Sequence, residues 1–379
     1  MTFLPFSRPS LDEETIAGVA EVLRSGWIAS GPQVQAFEAA LSEYFLGRPV
    51  RTFTSATAAL EVALQVCGIG SGDEVIVPAM TFAATANVVL RVGARPVFVD
   101  VDPASRNIDL DRVQAAITPR TRAIMAVHFA GLPVDLDALY GLARGHRLRV
   151  IEDAAHAAGA SWRGRRIGSE GDLVVFSFHP NKNMTTIEGG AISFADPALA
   201  RRIELQRFHG LERDALGNME VSIAGGKYNL SDIAARVGIG QLQRLDEFNA
   251  RRRELAQRYL RQLRTDPPIE LPPAGNAGHC WHLFAPLLPL ALLRIGRVQF
   301  IKAMHDRGIG VGVHYPALHL FSLYRRLGYK PGDCPQAERI GAATVSLPLF
   351  PAMAETDVDR VCQAVSEVLE HGSISRDAA

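Results

Sequence analysis

A surplus of charge of either sign is absent from this chain: lysine plus arginine number 40 and aspartate plus glutamate 40. No net positive field therefore draws it to nucleic acid or to an anionic membrane. Cysteine is scarce, and Cys67, Cys280, Cys334 and Cys362 lie far apart, without C-x-x-C spacing or the density of a disulfide scaffold. They read as the reduced thiols of a cytosolic protein. No uncharged apolar segment approaches the roughly 18 residues of a membrane helix. The opening "MTFLPFSRPSLDEETIAGVAEVL" lacks a basic region followed by an apolar block. The expectation is a soluble, cytoplasmic protein with neither nucleic acid nor membrane as partner. Repeats and low-complexity tracts are missing too. No G-x-G-x-x-G follows the first strand-like run, which removes a dinucleotide-binding oxidoreductase.

What is present is an alternation of short apolar runs and helix-like segments, over a length of 379 residues that suits two domains. Strands are expected at Asp73–Pro78, Arg95–Asp100, Ala123–Phe129, Leu148–Ala154, Leu173–Phe178 and Ala191–Phe194. All are β-branched and apolar on both faces, as in a mainly parallel sheet buried between helices. Thr57–Cys67 and Thr81–Gly93 supply crossovers of an α/β architecture. From the N-cap Ser231 a long helical span, charged after Asp246, leads out of the sheet. The expected division is a large α/β domain over 1–245 and a smaller α+β domain over 246–379, with a frayed tail after His371.

Ligands of open parallel sheets sit beyond the carboxyl ends of the strands, and four such places carry unusual chemistry. Ser55, Ala56 and Thr57 open a helix-like run whose free N–H groups suit a phosphate, although Ser55 or Thr57 would equally serve as a plain cap. Phe82 stands where an aromatic face could cover a flat ring; core packing is the alternative. Asp153, with His156 three residues on, could hold a proton on a heterocyclic nitrogen, or simply cap a helix. Lys182, in "VVFSFHPNKNMTTIEGGAISF", lies four residues beyond a strand between two apolar runs. A desolvated lysine there becomes nucleophilic toward a carbonyl, whereas an ordinary loop lysine is a solvated charge. Ser177 ends the same strand, where its hydroxyl would suit a phosphate. A phosphate cradle, an aromatic plate, a carboxylate and a Schiff-base lysine are together what pyridoxal phosphate asks of a protein. His279 and His282, on either side of Cys280, would point to opposite sides of a strand and so are not assigned to a metal.

The chain resembles the DegT/StrS-type nucleotide-sugar aminotransferases over nearly its whole length. The resemblance rests on "LRSGWIASGP", "TSATAALEVAL", "GDEVIVPAMTFAATANVVLRVGARPVFVDVDP", "HFAGLPVDLDAL", "IEDAAHAAGA", "GDLVVFSFHPNKNMTTIEGGAI", "GKYNLSDIAARVGIGQLQRLDEF", "HYPALH" and "SLPLFPAM", in that order. It implies a fold-type I pyridoxal-phosphate enzyme with Lys182 as the cofactor-bearing lysine and Asp153 as partner of the pyridine nitrogen. It implies Phe82 on the ring, His156 near the phenolic oxygen or packed on the ring, and Ala56, Thr57 and Ser177 at the phosphate. Asn229 in "KYNLSD" matches an asparagine that in relatives comes from the neighbouring subunit, which implies a homodimer. Trp27, Ser30, Gly31, His314 and His319 match positions near the substrate. The implied reaction moves the amino group of L-glutamate to a keto group, by family habit at C4, of a nucleotide-linked sugar. "KYNL" is similar to the enzymes that aminate UDP-4-keto-arabinose, while "TTIEGG" and "AARVG" depart from the common wording without removing a chemical group. An enzyme acting on free amino acids, and a regulator that kept the fold without the reaction, are the other readings; Lys182, Asp153 and Phe82 together speak against the regulator.

Overall fold

The computed structural model describes residues 2–374. The six apolar runs expected to be strands are strands, each with ends within two residues of expectation. They are β2 (Glu74–Pro78), β3 (Arg95–Val99), β4 (Thr121–Val127), β5 (Arg149–Asp153), β6 (Leu173–Ser177) and β7 (Gly190–Phe194). A seventh, β1 (Val50–Phe53), has only four residues, two of them the polar Arg51 and Thr52, which hides it from an apolar-run criterion.

The strands join in the order β1-β7-β6-β5-β4-β2-β3. Neighbours β6-β5-β4-β2-β3 pair parallel, while β7 pairs antiparallel with both β6 and β1. Only β7 runs against the rest, so the carboxyl ends of β1, β4, β5 and β6 share one edge. Alternate residues feed opposite faces, as a two-residue period requires. Val75, Val77, Met125, Ile151 and Val175 pack with the helix Ala56–Val66. Ile76, Ile124 and Val150 pack on the other face with Leu139 and Val113, and Val174 and Phe176 with Phe37 and Ala235. In Ala56–Val66 the one buried charge, Glu61, is held by Arg91 at 2.6 Å.

Beyond Ser231 the expected single helix is two, Asp232–Gln243 and Leu245–Gln262. The break is at Arg244 (φ −105°, ψ 1°), whose guanidinium bonds Asp12 at 3.2 Å and lies 4.7 Å from the Phe248 ring centre. The first helix packs on the helices Glu13–Ser25 and Pro32–Tyr44 and shares a core with Val174 and Phe176. The second carries Leu255 and Tyr259 into a separate core with Phe284, Phe300 and Val365, which Leu4 joins from the other end of the chain. Residues 279–289, expected to be strand-like, pair only through isolated bridges such as Phe284 with Leu347, because Trp281 has left-handed φ (51°) and turns the chain. The expected fraying also differs: the helix Glu355–Gly372 runs past His371, and Ser373 bridges Leu293. The remainder of that tail lies outside the described residues. Among the described residues no helix is long and apolar enough to cross a membrane.

Candidate active site

At the common edge a cavity of about 280 Å³ opens, lined by Ser55, Ala56, Thr57, Phe82, Asp153, His156, Ser177, Lys182, Gly189, His314 and Tyr315 among others. Eight residues chosen from sequence as cofactor neighbours thus converge from five separate elements, and Asn229 is the one that does not.

The start of Ala56–Val66 forms one wall. Ser55, in extended conformation, caps the helix by accepting from the Ala58 N–H at 3.1 Å, so the capping role foreseen for it is present. That bond leaves the N–H groups of Ala56 and Thr57 without a partner among the described residues, facing the cavity with the positive end of the helix. Gly190 makes room for them. A Cβ there would stand 2.5 Å from the Ala56 nitrogen, closer than any real contact allows. With the Ser177 hydroxyl, buried at the end of β6, this wall has the donors and the space a phosphate needs.

Asp153 ends β5 and is buried. Its Oδ2 accepts from Thr85 Oγ1 at 2.8 Å and its Oδ1 from the Ala155 N–H at 3.1 Å. Burial raises its pKa, opposed by these bonds and by the charge of Lys182. A carboxylate held this way stays anionic most favourably opposite a cationic N–H, which a protonated ring nitrogen provides. Thr85, itself bonded to Thr81 at 2.8 Å, was not singled out by sequence reasoning. The T-x-x-x-T spacing on the turn after β2 is the signal that would find it.

Lys182 sits in the loop after β6, where its N–H donates to the His179 carbonyl at 2.9 Å. Its side chain is half-buried, and burial lowers its pKa to about 8, with the Asp153 carboxylate pulling the other way. The unprotonated amine, the state in which it attacks a carbonyl, is therefore far more populated near neutrality than in an ordinary lysine. Phe82 precedes the helix Ala83–Arg91 and is 57% exposed, its ring centre 5.9 Å from that of Tyr315. An apolar ring left open to the cavity suits stacking on a flat ligand.

His156 is buried and makes two bonds, accepting from the Ala130 N–H at Nδ1 (3.2 Å) and meeting the Tyr315 hydroxyl at Nε2 (3.1 Å). Its ring centre is 4.4 Å from that of His282. Burial holds both histidines neutral, and the Lys182 charge adds to the effect. His314 borders the cavity, bonds Ser346 Oγ at 2.9 Å, stacks on Phe6 and has its pKa pushed down to about 4 by burial. Tyr315, which lines the cavity, and His282, which packs on His156 behind it, were passed over by sequence reasoning. "HYPALH" drew attention to its histidines, and His282 was weighed only as a metal ligand. His279 turns away from it and stacks on Trp281 at 4.1 Å.

The other residues expected near substrate lie elsewhere. His319 is fully buried, bonds Glu338 at 2.9 Å and packs near Phe98. It lies in the core rather than on the cavity, because the turn Leu318–Leu320 faces inward. Ser30 and Asn229 bond each other at 2.5 Å, and the Gly31 N–H donates to Asp232 at 2.7 Å. Ser30 and Asn229 line a second concavity with Arg201, Arg207 and Lys227. Trp27 stands 66% exposed on the adjoining loop.

Spr1654 from Streptococcus pneumoniae, solved in PLP and PMP forms, is 32% identical over 97% of this chain and 99% of that one in each form, with TM-scores of 0.91 and 0.92 respectively. DesV from S. venezuelae, solved with a ketimine intermediate, is 37% identical over 98% of this chain and 99% of that one, at a TM-score of 0.89. Helicobacter pylori PseC, an aminotransferase of pseudoaminic acid biosynthesis, is 29% identical over 98% of this chain and 100% of that one, at 0.92. Such agreement makes the sheet and its helices those of a fold-type I pyridoxal-phosphate enzyme. The family model for DegT/DnrJ/EryC1/StrS aminotransferases matches residues 9–366, and with the cavity built around Lys182 and Asp153, the chain belongs to the DegT/DnrJ/EryC1/StrS aminotransferase family.

Proposed function

We propose that this protein uses pyridoxal phosphate to move the amino group of L-glutamate onto the keto carbon, at C4, of a nucleotide-linked keto-deoxysugar. The observation that carries this reading is the half-buried Lys182, with its pKa brought to about 8, in one cavity with a buried carboxylate and the free start of a helix.

The cofactor, when bound, supplies an aldehyde that condenses with amines and a ring that accepts an electron pair. The chain's residues do the rest. The N–H groups of Ala56 and Thr57 and the hydroxyl of Ser177 bind the phosphate. Asp153 holds a proton on the ring nitrogen, and Phe82 covers one face of the ring and keeps water from it. Lys182, as a free amine, takes the proton from the α-carbon of glutamate and later returns one to the sugar carbon. Proton transfer of this kind contributes about 10²–10⁴-fold. Glutamate leaves as 2-oxoglutarate, its keto oxygen taken from one water molecule, while its nitrogen passes to the sugar, whose carbonyl oxygen is released as another.

The working molecule in this reading is a homodimer. Asn229 and Ser30 lie apart from Lys182 in one chain, and the family resemblance assigns Asn229 to the partner's phosphate site. Arg207 and Lys227 beside them would favour the nucleotide diphosphate.

The decisive experiment incubates the holoprotein with glutamate and a panel of 3-keto and 4-keto nucleotide sugars, scored by mass spectrometry for replacement of carbonyl oxygen by an amino group. Amination of a 4-keto substrate is expected. Repeated turnover of glutamate that needs no nucleotide sugar, beyond one equivalent per active site, would instead place the enzyme among those acting on free amino acids.

A further inference from the structure

Behind the cavity lies a run of polar contacts that fixes the amide orientations and the histidine tautomers. Asn249, on the helix Leu245–Gln262, donates through Nδ2 to the Ala158 carbonyl at 2.9 Å, so its Oδ1 faces Asn183. Asn183, next to Lys182, donates through Nδ2 to that oxygen at 2.7 Å and to the Cys280 carbonyl at 3.1 Å. Its own Oδ1 must then accept, and what it accepts is the Nδ1–H of His282, at 3.0 Å. His282 is thereby fixed in one tautomer and one plane, tilted at 35° against His156 with ring centres 4.4 Å apart. The Nδ1 of His156 faces a backbone N–H, which can only donate, so its single hydrogen is on Nε2 and points at Tyr315. The Tyr315 oxygen accepts that hydrogen, and its own hydrogen has no acceptor among the described residues.

Tyr315 also lines the cavity beside Phe82 and Lys182. The histidines around it, His156, His282 and His314, are neutral, since burial lowers all three. Burial and the nearby Asp153 raise the pKa of the Tyr315 hydroxyl, so it remains a donor. A fixed neutral donor flanked by neutral histidines interacts best with an anionic oxygen.

We infer that Tyr315 is a binding residue of this site: its hydroxyl, oriented by His156 and the His282–Asn183–Asn249 contacts behind it, donates a hydrogen bond to an anionic oxygen of the cavity's occupant. That oxygen is either the phenolate of pyridoxal phosphate or a carboxylate of the amino donor. His156, His282, Asn183 and Asn249 act on this bond as positioning residues. The inference rests on the reading that cofactor and amino donor occupy this cavity.

The test is Tyr315→Phe, which keeps the ring and its contacts with Phe82 and His314, read in two arms alongside thermal unfolding. One arm titrates the protein with pyridoxal phosphate and follows the absorbance of the bound cofactor against pH. The other follows the single-turnover reaction of the holoprotein with L-glutamate. A hydrogen bond to a charged group predicts a loss of about 10–100-fold in one arm. A weaker Kd for pyridoxal phosphate with a shifted absorbance titration assigns the phenolate; a raised KM for glutamate assigns the carboxylate. His156→Leu should weaken the same arm, and the double variant should be no worse than the worse single one. Both arms within twofold of the unaltered protein would overturn the inference. Failure of the unaltered protein to react with glutamate would count against the proposed donor, while the pyridoxal phosphate arm would still decide whether Tyr315 meets the phenolate.

Discussion

At the residue scale the site depends on how burial sets the charge of a few groups. Lys182 is expected to capture pyridoxal phosphate faster as pH rises through about 8, where its amine loses its proton. Stopped-flow mixing of apoprotein with the cofactor across pH 6.5–9.5 measures this, and a flat profile would contradict it. Asp153→Asn keeps the shape but offers no anion to a ring N–H. Transfer of the glutamate amino group should fall by at least about 10²-fold, since a charge-assisted bond has become a neutral one and the electron-accepting role is lost. Lys182 and Asp153 could be found from sequence because each breaks an apolar run at a strand's carboxyl end. Tyr315 and His282 could not, because what distinguishes them is whom they touch. Tyr315 meets His156 across 159 positions of sequence, and no local pattern records such a contact.

At the scale of elements, the close approach of the β7 start to the helix Ala56–Val66 keeps the phosphate wall open. Gly190→Ala would drive a methyl group into the Ala56 backbone nitrogen. This overpacking should cost about 1–3 kcal/mol of stability. It should also weaken pyridoxal phosphate binding, because the two free N–H groups are displaced; denaturant unfolding and cofactor titration read the two effects separately. Thr85→Val removes the hydroxyl that fixes Asp153 with little change in volume, and should cost about 1–3 kcal/mol by leaving a buried carboxylate short of a donor. Urea unfolding of the apoprotein measures that loss. Elements were legible where both faces of a strand are buried, as in β5 and β6, and β1 was missed because half of its residues are polar. The run from Ser231 has unbroken helical character, yet the helix divides at Arg244 because its two halves pack on different cores. Pattern alone does not encode that change of partner.

At the scale of the whole molecule, acid should unfold the protein through its histidines. His156, His282, His279 and His314 are held neutral by burial, the last two with pKa about 3 and about 4. In the unfolded chain each would take up a proton near pH 6.5. Between these folded values and about 6.5 the unfolded state binds more protons, so stability falls as pH drops through that window. Asp153, with its raised pKa, acts in the opposite direction but is one group against four. Melting temperature is thus expected to decline steadily below about pH 6.5, and His314→Asn to flatten the decline. The two-core arrangement, with Leu4 in the core of the C-terminal half, was only half visible in the sequence. The N-terminal segment carries no sign of which core receives it.

The central claim is that the Lys182 nitrogen is the one that bonds the cofactor aldehyde. Borohydride reduction of the holoprotein, followed by peptide mapping, tests it directly. A single phosphopyridoxyl group on the peptide containing Lys182 is the expected result; the label on any other lysine, or no label at all, would contradict the account.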